Sequence, residues 1–299
     1  MSTPSQAFRS GFVSIVGRPN VGKSTLLNSL AGRKLAITSE KPQTTRNVVR
    51  AAVDVDGVQL VFVDTPGLSK PHNALGQRMS AAVRGTLREC DAVVFLVDAS
   101  IPLGPGDAYI GRELARLNTP CFLGVNKVDL LSRERLLAYL GGVEKLGEFR
   151  EIVPLSGLTG DGVELLRDLL ARLMPEGPRY FPEGMITDQP VERLVAEIVR
   201  EKALALTREE VPHSIAVVIE EMAPREGTDL LDVRAILFVE RDSQKGIMVG
   251  KGGSMLREIG TRARVELEGL LGSRIFLELR VKVARDWQRD TRALDRMGF

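Results

Sequence analysis

Short apolar runs bounded by turn residues recur through the first half of the chain. Phe12–Gly17 leads into Gly22, Lys23 and Ser24, after which Leu26, Leu27 and Leu30 follow at helical spacing over Thr25–Ala31. This pattern predicts a strand, a loop and a helix. Val48–Val55 and Val58–Asp64 flank Asp56 and Gly57, the residue pair of a tight hairpin. Ala92–Asp98, Cys121–Asn126 and the shorter Ile152–Ser156 are apolar without alternation, as expected of strands buried on both faces. Helical periodicity marks Gly106–Leu117, Ser132–Leu146 and Asp161–Leu173. Strands alternating with helices, plus one hairpin, predict an α/β domain with a mostly parallel sheet covered on both sides. Such sheets bind ligands at the carboxyl ends of their strands.

Met174, Pro175, Glu176, Gly177 and Pro178 end the last of these helices. The first domain is therefore read as residues 1–178, followed by a linker over 179–190 and a second domain over 191–299. In that second domain Val191, Leu194, Val195, Ile198 and Val199 form one helical face. His213–Glu221 and Leu231–Arg241 are predicted strands. Gln244–Val249 and Ser254–Leu271 are predicted helices around a glycine-rich break. Ile275–Ala284 alternates as a strand, and Asp286–Met297 is a charged tail whose Trp287 is expected to anchor against the sheet. There is no internal repeat and no low-complexity tract.

Chemistry gathers at the predicted strand ends. Gly17, Arg18, Pro19, Asn20, Val21, Gly22, Lys23, Ser24 and Thr25 have the spacing of a phosphate-binding loop. Gly17 and Gly22 let backbone N–H groups wrap phosphates. The helix that follows adds its dipole. Lys23 reaches the β and γ oxygens, and the Ser24 hydroxyl ligates Mg²⁺. Asp64 ends a strand and opens Asp64-Thr65-Pro66-Gly67. Its carboxylate is expected to hold Mg²⁺ through water, with the Gly67 N–H on the γ-phosphate. In Asn126-Lys127-Val128-Asp129 the Asp129 carboxylate accepts from guanine N1–H and the 2-amino group, and the Lys127 stem supports the loop. Adenine lacks that donor pair, so the site discriminates by about 10⁴-fold. The backbone of Ser156-Gly157-Leu158 donates to guanine O6. GTP or GDP with Mg²⁺ is the expected cofactor set. A P-loop nucleotide kinase is a weaker alternative, since it needs no guanine clamp.

In the second domain Gly250-Lys251-Gly252-Gly253 joins two predicted helices. Residues without Cβ atoms admit a nucleic-acid backbone, the next helix offers free N–H groups to phosphate, and Lys251 and Arg257 add charge. Val249 and Ile259 are expected to line an apolar groove that clamps about four unpaired nucleotides. The order helix, strand, strand, helix, GxxG, helix, strand looks like the type II KH arrangement, an α+β fold. A docking module for protein or membrane, giving a signalling switch without RNA, is the alternative.

Charge adds weight to the RNA reading. The whole chain carries a net charge of only +2. By count, 181–240 holds 6 Lys/Arg against 13 Asp/Glu, a net of −7, and 241–299 holds 13 against 8, a net of +5. A basic final segment in a near-neutral chain suits a polyanion. Cys90 and Cys121 sit beside apolar runs, which fits buried thiols in a reducing compartment. His72 and His213 stand apart from any metal-ligand cluster and are read as surface residues. No signal-peptide pattern opens the sequence and no apolar stretch approaches about 18 residues, so a cytosolic protein is expected.

The four phosphate- and base-reading segments resemble the translation-factor-like GTPases of the Ras superfamily. That resemblance implies a Mg²⁺-binding switch threonine within Lys41-Pro42-Gln43-Thr44-Thr45-Arg46. The family form points to Thr45, with Thr44 as the alternative. Leu68 stands where Ras-like enzymes place a water-orienting glutamine, which implies the hydrophobic-substituted subclass with slow intrinsic hydrolysis. In that subclass Asn20 by position helps bind K⁺, an ion that supplies the charge an arginine finger gives elsewhere. Lys23, Thr45, Asp64, Gly67 and Asn20 are thereby the catalytic candidates. Gly157 stands where alanine is usual, and little effect is expected from that departure.

The chain as a whole resembles the Era family of GTPases with a C-terminal KH domain. The match rests on Gly17–Leu26, Gln43–Arg46, Asp64–Gly67 and Asn126–Asp129. It continues through Phe181-Pro182-Glu183, Ile186-Thr187-Asp188, Ala196–Lys202, Val239-Glu240-Arg241, and Val281-Lys282-Val283 with Trp287. The resemblance implies recognition of the 3′ end of 16S ribosomal RNA, a role in small ribosomal subunit assembly, and loose inner-membrane association. A monomer is expected.

Overall fold

The computed structural model describes residues 7–39, 41, 44–67, 73–208 and 211–299. Two units make up the chain. The second comprises Gln189–Phe299 with Ser39–Thr44 and Pro71–Arg78, and the first comprises the remainder.

Among the described residues of the first unit the order is β1 (Arg9–Gly17), α1 (Lys23–Ala31), β2 (Val49–Val55), β3 (Val58–Asp64), α2 (Ala74–Glu89, whose opening residues count with the second unit), β4 (Ala92–Asp98), α3 (Pro105–Leu114), β5 (Cys121–Asn126), α4 (Arg133–Val143), β6 (Glu151–Pro154) and α5 (Val163–Leu173). The sheet runs β2-β3-β1-β4-β5-β6. Every pair is parallel except β2–β3. The connecting turn of that hairpin has Asp56 at φ 42° and Gly57 at φ 80°, the doubly left-handed geometry that matches strand twist.

Strand β4 shows why alternation is missing from these runs. Val94 and Leu96 face a core shared with Leu26 and Leu27 of α1 and Leu166 and Leu170 of α5. Val93, Phe95 and Val97 face another core shared with Val83 and Leu87 of α2 and Ile110 and Leu114 of α3. Both faces are buried, so both sets of positions are apolar. Strand β1 lies between β3 and β4, where the direction of chain progression reverses. The crevice for a ligand opens at the carboxyl end of such a strand.

Helix α2 carries too narrow an apolar face for periodicity to mark it. Its buried residues, Leu75, Met79, Val83 and Leu87, are four apart and make a one-residue-wide stripe on an otherwise polar or small-residue helix. The residues after α5 are also more ordered than a linker. Gln59 is buried and accepts from the N–H groups of Tyr180 and Phe181, both at 2.9 Å, while its own amide donates to the Phe181 carbonyl at 3.1 Å. Phe181 packs with Ala52 and Val61, and the Ala52 N–H donates to the Ile186 carbonyl at 2.7 Å. The segment is strapped along β2 and β3.

The second unit contains α6 (Val191–Leu206), α7 (Val211–Ser214), β7 (Ala216–Pro224), β8 (Leu230–Val239), α8 (Asp242–Val249), α9 (Ser254–Leu271), β9 (Arg274–Val283) and α10 (Thr291–Arg296). His213 belongs to a helical turn rather than to a strand. The sheet order is β7-β8-β9, antiparallel then parallel. Val195, Ile198, Val199 and Ala203 of α6 and Ile259, Ala263 and Leu267 of α9 are fully buried, each set at helical spacing, and the two helices pack on each other and on the sheet. Trp287 is buried, stacks on Phe299 at 5.4 Å, and donates from Nε1 to the Ser214 carbonyl at 2.9 Å.

Both cysteines carry free thiols. Burial pushes each up to about 12, helped at Cys90 by the neighbouring carboxylates Asp91 and Glu89. No helix among the described residues is long and apolar enough to cross a membrane.

Candidate nucleotide site and nucleic-acid groove

The loop between β1 and α1 is held by close approaches that only glycine permits. A Cβ on Gly17 would lie 2.4 Å from the Leu96 carbonyl oxygen. Gly22 caps α1 at φ 97°, and a Cβ there would lie 2.3 Å from Asn126 Nδ2. Asn20 also adopts the left-handed region, at φ 66°, and is exposed. A Cβ on Gly67 would lie 2.9 Å from the Pro19 nitrogen, so the segment after β3 touches the same loop.

Three oxygens converge beside α1. Ser24 Oγ donates to Asp64 Oδ2 at 2.8 Å, Thr45 Oγ1 lies 2.8 Å from Ser24 Oγ, and Thr45 Oγ1 donates to Asp64 Oδ2 at 3.2 Å. Asp64 Oδ1 is buried and has no hydrogen-bond partner. An orphaned carboxylate oxygen among hydroxyls suits a hard cation, which takes oxygen ligands. The donor set therefore fits Mg²⁺. The hydroxyl of Thr44, the alternative switch residue, donates to the Lys41 carbonyl at 2.6 Å. Lys23 Nζ donates to the carbonyls of Arg18 at 3.0 Å and Gly17 at 3.4 Å. Burial lowers the Lys23 pKa against the pull of Asp64, and burial raises that of Asp64 against the pull of Lys23 and of its hydrogen bonds. A phosphate group entering here supplies the charge that the buried ammonium lacks.

Asn126, a nucleotide-binding candidate by its place in the guanine-reading motif, acts here as a link between loops. It is buried at the end of β5, donates from Nδ2 to the Val21 carbonyl at 2.7 Å, and accepts on Oδ1 from the Gly157 N–H at 2.9 Å. One amide thus ties the phosphate loop to the Ser156–Leu158 loop. Lys127, at φ 67°, bonds Asp98 at 2.6 Å. The next turn, Val128–Leu130, is a 3₁₀ turn that leaves the Asp129 carboxylate exposed. Ser156 is buried, with its hydroxyl accepting from Thr159 N–H at 3.1 Å, and Leu158 is 78% exposed at the rim. A Cβ on Gly157 would lie 3.0 Å from the Leu26 nitrogen. Leu68 and His72, along with Pro42 and Gln43 of the switch segment, lie outside the described residues.

In the second unit Gly250, Gly252 and Gly253 all have positive φ, at 72°, 60° and 78°. A Cβ on Gly250 would strike Met255 at 2.8 Å, whereas Gly252 and Gly253 face open space. The turn is tight on its inner side and open on its outer side. Beside it a groove of about 430 Å³ runs between α9 and the edge strand β9. Leu256, Gly260, Ile275, Leu277 and Leu279 supply apolar lining, and Arg257 and Arg264 supply charge. Ile259, expected in the groove, is instead fully buried in the core, three positions round the helix from Leu256. Val249 is half-buried before the turn and is not among the lining residues. Arg264 and Phe276 also line the groove, although no local motif marks either residue. Phe276 is half exposed and carries the Arg225 guanidinium 4.9 Å from its ring.

Residues 12–127 match the family described as 50S ribosome-binding GTPase, and residues 210–288 match the KH domain family. A Mycobacterium bovis protein named GTPase Era is 52% identical over 98% of this chain and 99% of its own. A Nocardioides protein of the same name is 51% identical over 100% and 98%. A crystal structure of Aquifex aeolicus Era with GDP·AlF4− superposes with a TM-score of 0.93 at 42% identity, covering 97% of this chain and 99% of that one. An Era structure with MgGDPNP and nucleotides 1506–1542 of 16S ribosomal RNA gives 0.94 at the same identity and coverage.

Proposed function

This chain belongs to the GTPase Era family, and from that premise we propose that it is a GTP-hydrolysing switch that binds the 3′ end of 16S ribosomal RNA through its KH unit during small-subunit assembly. The observation that carries the reading is the convergence of Ser24, Thr45 and Asp64 beside Lys23, with a buried carboxylate oxygen left over. Ser24 and Thr45 would hold Mg²⁺ directly and Asp64 through water. The ion supplies positive charge against the β and γ oxygens. Lys23 binds those same oxygens. Asp129 and the backbone at Ser156–Leu158 read guanine. Asn20 is the K⁺ ligand, and equal hydrolysis rates in K⁺ and Na⁺ would remove that role.

The related Era structure with 16S ribosomal RNA and the open turn at Gly252 and Gly253 support the RNA assignment. The decisive experiment is a gel shift with a transcript of the 16S 3′ end, with and without a non-hydrolysable GTP analogue. Gly253→Asp is expected to abolish the shift, because it sets an anion and a Cβ where phosphate must approach, while GTP binding stays intact. Retained RNA binding in that variant would favour a protein- or membrane-docking module. By linkage, GTP and RNA raise each other's affinity by one factor, and equal RNA affinity in the GTP and GDP states would end the coupling. A cytoplasmic monomer with peripheral inner-membrane contact completes the reading, and sedimentation and membrane flotation check it.

A further inference from the structure

We propose that Arg18 and Asp107 form a lock that positions the phosphate loop, making Asp107 on α3 a positioning residue for the β- and γ-phosphates although it stands outside every nucleotide motif. Arg18 Nη1 lies 2.8 Å from Asp107 Oδ2, and the Asp107 side chain is only 4% exposed. The same carboxylate oxygen accepts from the Gly104 N–H at 2.9 Å, so Asp107 also closes the first turn of its own helix. It is therefore a fixed post rather than a mobile surface anion.

The Arg18 side chain lies in a trough shaped for it. A Cβ on Gly106 would come 3.0 Å from Arg18 Cδ, and one on Gly104 would come 3.3 Å from Nη1. Two residues without side chains, either side of Pro105, leave room for the stem to lie across the start of α3. What this holds is the backbone. The Arg18 carbonyl is the nearer of the two oxygens that receive Lys23 Nζ, at 3.0 Å. Fixing Arg18 from its side chain fixes that carbonyl, and with it the direction in which the Lys23 ammonium is presented. The neighbours on either side, Gly17 and Pro19, are braced by Leu96 and Gly67. Arg18 is the third brace and the one made by charge.

The consequence is selective for phosphates beyond the first. GMP offers the base and one phosphate, whereas GDP also engages Lys23. Calorimetric titration of GDP and GMP into the full chain and into Asp107→Asn, Arg18→Ala and Arg18→Lys tests the lock. Asp107→Asn and Arg18→Ala are each expected to weaken GDP about tenfold, the scale of one charge-assisted hydrogen bond. GMP should stay within about twofold, and combining the two substitutions should cost no more than either alone, as for a coupled pair. Arg18→Lys keeps the charge without the planar fork and should fall between. Unchanged GDP affinity, equal losses for GDP and GMP, or additive losses in the double variant would each overturn the lock. Should Asp107→Asn fail to fold, the Arg18 variants carry the same test, because that side chain is one-third exposed. The lock rests on the nucleotide reading, and the two fail differently: an unaltered chain that binds no GDP defeats the reading itself.

Discussion

Asn126 and Asp129 belong to one four-residue motif yet do different work. Asn126 is buried and satisfies two backbone groups in two loops. Removing it leaves the Val21 carbonyl and the Gly157 N–H without partners, at about 1–3 kcal/mol each. Asn126→Ala is therefore expected to lower stability by about 2–4 kcal/mol in urea denaturation, with loss of nucleotide binding. Asp129→Ala should leave the denaturation midpoint unchanged and abolish the preference for GTP over ATP in competition. The motif announces both residues, but only the structure separates the brace from the reader. Gly157 lies close to the same brace. A Cβ there would sit 3.0 Å from the Leu26 nitrogen, a contact that a shift of a few tenths of an ångström in the backbone relieves. Gly157→Ala should therefore move stability by no more than about 1 kcal/mol, read by the same denaturation experiment.

At the level of elements, the strap over Tyr180 and Phe181 depends on one buried glutamine. Gln59→Leu keeps the volume but removes the three hydrogen bonds to the strap, along with one to Asp54 at 3.1 Å, and it should expose the strap to limited proteolysis near Tyr180 while the sheet stays protected. Unchanged cleavage would show that Phe181 packing alone suffices. Legibility from sequence followed burial. Strands such as β4 and β5, covered on two faces, announce themselves as unbroken apolar runs. Helix α2 buries one residue per turn, so its stripe at Leu75, Met79, Val83 and Leu87 is hard to tell from a polar loop. The strap is held by a side chain about 120 residues earlier, which no local pattern can reveal. The groove was half legible: glycine spacing gave the turn, but choosing between Ile259 and Leu256 needs the facing of α9 against β9.

Across the whole molecule, a net charge of +2 conceals an acidic stretch before Arg241 and a basic one after it. Arg257 and Arg264 carry that basic character into the groove. RNA affinity should therefore fall steeply with salt while GDP affinity changes little, and Arg264→Gln should reduce the slope of log affinity against log salt by about one. The thiols have a practical bearing on such measurements. With folded pKa values raised to about 12, their contribution to stability is intact below the ordinary thiol range and is lost progressively as pH climbs from that range to the folded value. Near neutrality neither sulfur offers much thiolate to an electrophile. A maleimide dye should leave the native chain almost unmarked, so a single cysteine introduced at exposed Thr261 could be labelled selectively without first deleting Cys90 or Cys121, giving a fluorescent reporter inside the groove.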